Sequence, residues 1–305
     1  MIVFIARKVG GALVTFAVAI TLAFLLSRMS GDPTANILGP FATPDQFESL
    51  RERLGLNDPL PVQFLDYLKS AFTADFGESL QYGQSNTQLI LERLPNTIVL
   101  IVLAMAIAIG IGVPLGVVAA TKEGSAWDRL ASTVALLGQS MPVFWLGLML
   151  ILVFAVNLGL LPAGQDGSLK HVILPAVTLS MYPLAQIARL TRATMAEVLR
   201  EPYIDAARAR GLRSRRIIGV HALRNASMPV VTITALQAGL LLSGAVAVEY
   251  VFNYSGFGLL AIQAVEFRDY TLVQAVVAFG VLAFILLNLA VDLLYAVIDP
   301  RIRRA

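Results

Sequence analysis

The stretch Glu201–Pro229, EPYIDAARARGLRSRRIIGVHALRNASMP, lies between two apolar runs and decides how the chain is read. It carries Arg208, Arg210, Arg213, Arg215, Arg216 and Arg224, with Arg200 just before it. The whole chain has 305 residues, of which 57% are hydrophobic and only 14% charged, and its mean hydropathy is +0.75. Soluble domains are about a quarter charged. This composition is that of an integral membrane protein. An arginine-rich interruption in such a chain has two readings. It is an anchor that keeps the neighbouring helices on one side of the membrane, or it is a docking surface.

Read locally, the stretch is a short helix, a turn and a second helix. Pro202 suits the first helical turn, and Asp205 in that turn complements the helix dipole. Ala206, Ala207 and Ala209 are strong helix formers with little bulk. Gly211 can take the left-handed conformation that ends a helix. A second helical stretch is expected from Ser214 to Leu223, with Ile217, Ile218 and Leu223 apolar. The small residues let another protein's backbone come close, while the arginines suit carboxylates or lipid phosphates.

Outward from this loop, six spans of about 20 apolar residues can be drawn. They lie near Val9–Met29, Thr97–Ala120, within Leu130–Asn157, and near Val172–Leu190, Val230–Val248 and Leu272–Val297. The third is the longest and contains Pro142, so an interfacial helix, a kink and then the span proper are expected. Pro114 and Pro183 are candidate kinks in the second and fourth spans. The first run is longer than a signal-peptide core of roughly 7–15 residues. No small-residue cleavage site follows it, since the chain continues SRMSGDPTAN. It reads as an uncleaved transmembrane helix.

Lys and Arg in the connections set the orientation. With Arg7 and Lys8 inside, Lys122, Arg129, the arginine-rich loop and the tail with Arg301, Arg303 and Arg304 are inside as well. Gly31–Asn96 falls outside and is acidic: Arg51, Arg53, Lys69 and Arg93 are outnumbered by Asp32, Asp45, Glu48, Glu52, Asp58, Asp66, Asp75, Glu78 and Glu92. Both termini are thus expected in the cytoplasm. The division is 1–29 first helix, 30–96 external segment, 97–297 five-helix core with a cytoplasmic loop at 193–227, and 298–305 tail. In the external segment, Thr43, Pro44 and Gln46 form a helix start of capping-box type. Phe47, Leu50 and Leu54 share one face, and Gly55 ends the helix. A second short helix is expected from Pro61, with Phe64, Leu65, Leu68 and Phe72 as its apolar stripe. A lid or docking platform is one reading of this segment, a packed external loop the other.

The pI of about 9.3 does not argue for nucleic acid, because the charges gather in short connections between apolar spans. Cysteine is absent, which removes disulfides and thiolate chemistry. His171 and His221 are the only histidines and stand far apart in sequence, so a histidine metal site is not expected. The chain contains no G-x-x-x-x-G-K-[ST] phosphate loop and no Gly-Lys dipeptide.

At this point a resemblance becomes specific. Asp205-Ala206-Ala207, three residues, Gly211, then nine residues to His221 and on to Met228-Pro229 resembles the EAA loop of bacterial ABC importer permeases. YIDAARARGL followed by HALRNASMPVVT resembles the dipeptide, oligopeptide, glutathione and nickel branch. The resemblance covers nearly the whole chain. It includes Gly31-Asp32-Pro33, Leu54 to Pro59, Phe76-Gly77 with Ser79, Glu92 to Pro95, Phe144 to Gly147 and Asp299-Pro300-Arg301. Three positions depart from the pattern: Asp205 where the family opens on Glu, Ser255-Gly256-Phe257-Gly258 where it has Pro-Gly-x-Gly, and Asp269-Tyr270-Thr271 where it has Asp-Tyr-Pro.

The resemblance implies an all-α, six-helix, type I ABC importer permease fold with a partly helical external segment. It implies a non-enzymatic subunit that forms a translocation path with a second, similar permease. An external binding protein delivers substrate, and two cytoplasmic ATPase subunits hold the ATP and Mg, leaving no cofactor or metal in this chain. Asp205, Ala206, Ala207, Gly211 and Leu212 are the implied contact with the motor. Dipeptide, oligopeptide, glutathione, nickel-chelate and haem-like cargoes all remain open. A secondary transporter or channel without ATP would need charged or discontinuous helices in mid-membrane, which are scarce here. A non-transporting scaffold is the other alternative.

Other polar residues have plainer readings beside the functional ones. Glu249, at the outer end of the fifth span, either lines the mouth of the path or is paired locally. Arg189 and Arg192 read as snorkelling anchors at the inner end of the fourth span. Gln139, Gln237 and Asn288 read as helix–helix hydrogen-bonding groups. Asp292 is expected to pair with a cytoplasmic basic group, and both histidines to be structural.

Overall fold

A computed structural model describes residues 2–29, Thr34, Leu38, 42–164 and 169–298. The Gly31-Asp32-Pro33 and Asp299-Pro300-Arg301 motifs lie outside the described residues, as do the side chains of Arg7, Lys8 and Asp292. The chain divides into two compact units, Met1–Asn96 with Ser255–Leu289, and Thr97–Tyr254 with Ala290–Ala305. One unit boundary falls after Asn96. Residues 255–289, drawn from sequence as part of the five-helix core, group with the N-terminal segment.

In the first unit, α1 is Ile2–Met29 and α2 is Pro44–Arg53. Thr43 is extended, Pro44 opens α2, and the Thr43 N–H donates to Gln46 Oε1 at 2.9 Å. Gly55, with φ of 62°, closes the helix: its N–H donates to Glu52 O at 3.1 Å and that of Leu56 to Arg51 O at 2.9 Å. These two bonds satisfy carbonyls that the helix end would otherwise strand. Phe47, Leu50 and Leu54 are half-buried on one face, as their spacing predicts.

Helix α3, Leu60–Thr73, starts one residue before the expected Pro61, because Pro59 O accepts from the Val62 and Gln63 N–H groups. Its stripe differs from the expected one. Tyr67 is buried, Phe64, Leu68 and Ala71 are half-buried against the same cluster, and Leu65 and Phe72 are exposed. The reason is polar as well as apolar. Tyr67 donates to Gln274 O at 3.0 Å, and the Gln63 amide donates to Asp58 O at 2.6 Å, which rotates the 63/67/71 edge inward. Burial raises the Tyr67 phenol above its usual pKa, so it remains a donor.

Helix α10, Phe257–Glu266, and helix α11, Tyr270–Ile298, as far as Leu289, complete this unit. Ile20, Phe24, Tyr67, Phe76, Leu89, Phe257, Leu260 and Leu272 form its core. Asp269 caps α11 by accepting from the Leu272 N–H at 3.1 Å, and its other oxygen accepts from Ser79 Oγ at 2.5 Å and the Gln81 N–H at 3.2 Å.

The second unit contains most of α4, Asn86–Thr121, and then α5, Ala126–Ser140, and α6, Val143–Asn157. The last two are bent by 110° at Met141-Pro142. Met141 is extended (φ −82°, ψ 130°), the conformation favoured for a residue before proline. The kink expected at Pro142 is present, and the second half of α6, Ile151–Asn157, is wound as a wider π-turn. Next come α7, Ile173–Val198, the short α8, Pro202–Ala209, and α9, Ser214–Val251. Pro183 lies within α7, and Pro229 within α9.

Helix α7 is the centre of this unit. Of its apolar window 61% is buried, against 28% for α4 and 33% for α9. Its neighbours approach through glycines. A Cβ on Gly116 of α4 would stand 2.5 Å from Ala188 O, and one on Gly112 would stand 2.9 Å from Leu184 O. Gly138 of α5 faces Met181 O, and Gly244 of α9 faces Leu179. Close contact of this kind replaces the hydrophobic effect as the source of helix association in lipid. Leu100, Ala104, Leu174, Leu179, Leu241 and Val248 fill the space between.

Among the described residues, four helices are long and apolar enough to cross a membrane, and the bent α5–α6 pair makes a fifth candidate. The described apolar part of α1, Gly10–Leu25, is shorter than these spans.

Candidate functional site

Helix α8 follows closely on α7: only Leu199, Arg200 and Glu201 separate them. Glu201 is extended, Pro202 occupies the first helical turn, and the Ile204 N–H donates to Glu201 O at 2.9 Å. The far end closes as the sequence predicts. Gly211 has φ of 74°; its N–H donates to Arg208 O at 2.9 Å and the Leu212 N–H to Ala207 O at 3.3 Å. A β-carbon at this backbone conformation is strained.

One residue does most to fasten the helix to the subunit. Ile204 is fully buried and joins Ala120, Met195, Ile217, Ala222 and Ala226 in a small cluster. Of the five predicted contact residues, Asp205, Ala206 and Gly211 are exposed. Ala207 and Leu212 are half-buried at the rim of the cluster. Asp205 makes an exposed pair with Arg208 at 2.9 Å, of a kind that adds about 0–1 kcal/mol. The result is a short helix with a small, charged outer face and a single fully buried apolar foot.

The second helical stretch after Gly211 does not end at Leu223. It runs on as α9, through a π-turn at Ile217–Ala222 that the sequence does not announce. Tyr203 of α8 reaches it: its hydroxyl accepts from Asn225 Nδ2 at 2.7 Å and lies 3.5 Å from His221 O.

Arg192 is not merely a snorkelling anchor. Its guanidinium donates to both oxygens of Asp128 on α5, at 2.6 and 3.0 Å. Asp128 is buried and also accepts from the Gly124 N–H at 3.0 Å. Sequence reasoning misses Asp128. The one signal is Ser125-x-x-Asp128 ahead of an apolar run, which marks a helix start but says nothing of a partner. Arg200 pairs with Glu123 at 3.0 Å on the exposed surface nearby. Arg189 donates within its own helix to Gln186.

Glu249 is fully buried, and Thr97 Oγ1 donates to it at 2.5 Å, so it has a local partner. Gln237 is buried, whereas Asn288 donates to Phe284 O one turn back in its own helix rather than across to another. The His171 ring lies against Tyr254, with centroids 5.5 Å apart. Among the described residues, no group of three or more His, Asp or Glu side chains is placed to share a metal ion.

Comparison with known proteins agrees with this geometry. Residues 112–304 match the family model of the binding-protein-dependent transport system inner membrane component. Residues 1–101 match the model of the N-terminal part of such membrane components. The chain is 41% identical over 304 residues to the glutathione transport system permease protein GsiC of Escherichia coli (strain K12), covering 99% of each. It is 40% identical to the di/tripeptide transport system permease protein DppB of Pseudomonas aeruginosa (strain UCBPP-PA14), again over 99% of each. Among solved structures, it resembles a chain of the inward-facing MetNI methionine ABC transporter with a TM-score of 0.58 at 20% identity. That match covers 70% of this chain and 97% of the other. The chain belongs to the binding-protein-dependent transport system inner membrane components, the permease subunits of ABC importers.

Proposed function

We propose that this permease imports short peptides, glutathione or a related small solute, and that α8 with its closing turn is where ATP hydrolysis is coupled to transport. The observation that carries the coupling role is the build of α8. Its outer face, Asp205, Ala206 and Gly211, is small and open, and its one fully buried side chain is Ile204. The cargo class is supported by the full-length similarity to permeases named for glutathione and for di- and tripeptides.

In this reading, two cytoplasmic ATPase subunits bind ATP and Mg, and one of them receives α8 in a groove. A second permease subunit completes the path, and a binding protein delivers cargo to the outer side. α1 is the first of six spans and the bent α5–α6 pair the third. Both termini and the arginine-rich loop are cytoplasmic, supported by the distribution of Lys and Arg. α2 and α3 then belong to an external docking platform. The test is transport and ATP hydrolysis by the reconstituted complex. Gly211→Val and Asp205→Arg should each uncouple the two. Normal coupling in both variants would rule out the role given to α8.

A further inference from the structure

We infer that Asp128 and Arg192 are positioning residues that make α5 travel with α8, so that a displacement of α8 by the motor is delivered to the bent α5–α6 pair. The inference rests on the coupling role proposed for α8.

The mechanical chain is short. Ile204 of α8 and Met195 of α7 are fully buried in one cluster, and only three residues of chain join the two helices. A shift of α8 therefore pulls on α7. α7 in turn packs along α5, whose Ala131, Ala135 and Gly138 are buried, and two contacts mark the ends of that seam, Arg192 on Asp128 and Met181 O against Gly138. The two points run in opposite order along the two helices, so α5 and α7 are antiparallel there. They are ten residues apart on α5, or about 15 Å along its axis. Two attachments at that separation fix direction as well as position. Remove the Asp128 end and what remains is a seam of small buried residues, Ala131, Ala135 and Gly138, over which α5 can slide or turn.

The chemistry of the pair favours geometry over stability. Taking two charges out of water costs about what their attraction returns, so apolar replacements of partly buried pairs are often neutral. A two-pronged guanidinium–carboxylate contact fixes relative orientation, which an apolar contact does not. Gly124 and Ser132 hold the carboxylate from its own side, with Ser132 Oγ 3.5 Å away, so the aspartate is set before Arg192 reaches it. α5 also has something to deliver. Trp127, Leu130, Leu136 and Leu137 stand exposed on it, and past its end a 110° bend leads the chain into α6.

The absence of cysteine allows a direct test. Spin labels are placed at Ala206→Cys in α8 and Leu136→Cys in α5 of the assembled importer. Their separation is then measured without nucleotide and in the ATP–vanadate-trapped state. In the otherwise native subunit it should not change. In the Asp128→Leu/Arg192→Leu variant it should shift or broaden on trapping, and Asp128→Glu should behave like the native pair. If the apolar variant fails to assemble, Asp128→Asn, which keeps the Gly124 contact and loses the charge, makes the same comparison. A separation that changes in the native subunit, or stays fixed in the broken variants, overturns the inference. The mobility of the 206 label reports separately on docking. If added ATPase subunits do not immobilise it, the coupling role of α8 fails and this inference fails with it; immobilisation with an unaltered broken variant removes the inference alone.

Discussion

Thr97 Oγ1 donates to Glu249 at 2.5 Å, and both side chains are buried within the second unit. They join the start of its first helical stretch to the end of α9, 152 residues later. A donor withdrawn from a buried carboxyl leaves a desolvated group underserved. Thr97→Val should therefore destabilise the detergent-purified subunit by about 1–3 kcal/mol, read as a lower thermal midpoint. Thr97→Ser, which keeps the hydroxyl, should lie near the native value. Equal loss in both would show that shape, and not the hydrogen bond, matters at this position.

The tightest helix contact makes a second prediction. A β-carbon at Gly116 would sit 2.5 Å from Ala188 O and 2.6 Å from Thr191 Cβ, whereas one at Gly110, on the same helix, meets nothing within 4 Å. Gly116→Ala should cost about 1–3 kcal/mol through overpacking and lower the yield of folded subunit. Gly110→Ala should leave both unchanged. Equal yields would mean that α4 and α7 do not approach as closely as described.

Asp269 ties the turn at Ser79–Gln81 to the start of α11 within the first unit. It caps α11 and gathers Ser79 Oγ and the Gln81 N–H on one oxygen. Asp269→Ala loses a cap, which alone costs about 1 kcal/mol, and strands two donors as well. Amide exchange should accelerate in residues 76–86 more than in α3. Unaltered exchange at 76–86 would contradict the staple.

The exposed pair in α8 separates folding from coupling. Asp205 and Arg208 are 71% and 56% exposed at the side chain. Asp205→Ala should shift subunit stability by no more than about 0.5 kcal/mol yet reduce ATP hydrolysis stimulated by binding protein. A large fall in thermal stability with coupling intact would make Asp205 a structural residue.

The features legible in the sequence are local ones. Thr43, Pro44, Gln46 and Gly55 delimit α2, and Pro202 with Gly211 delimits α8, because each signal and its consequence lie within a turn of one another. Asp128 and Arg192 are 64 residues apart, and nothing in either neighbourhood names the other. The stripe on α3 escapes the sequence for a related reason. Hydrophobicity favours Leu65 and Phe72, but the hydrogen bond from Tyr67 to Gln274, 207 residues away, turns the helix. The π-turn at Ile217–Ala222 carries no Pro, and its single Gly219 gives no sign of a change in winding.

A probe on the outer face of α8 should capture an ATP-binding subunit if ATP hydrolysis is coupled there. The most direct measurement is a photo-crosslinker carried on Ala206→Cys in this cysteine-free chain, activated in native membranes, with the adduct identified by mass. Position 206 should give an adduct with an ATP-binding subunit in the nucleotide-free state, and the same probe on Gln84→Cys should give none. Capture only of lipid from position 206, or capture of the ATP-binding subunit from position 84, would contradict coupling at α8.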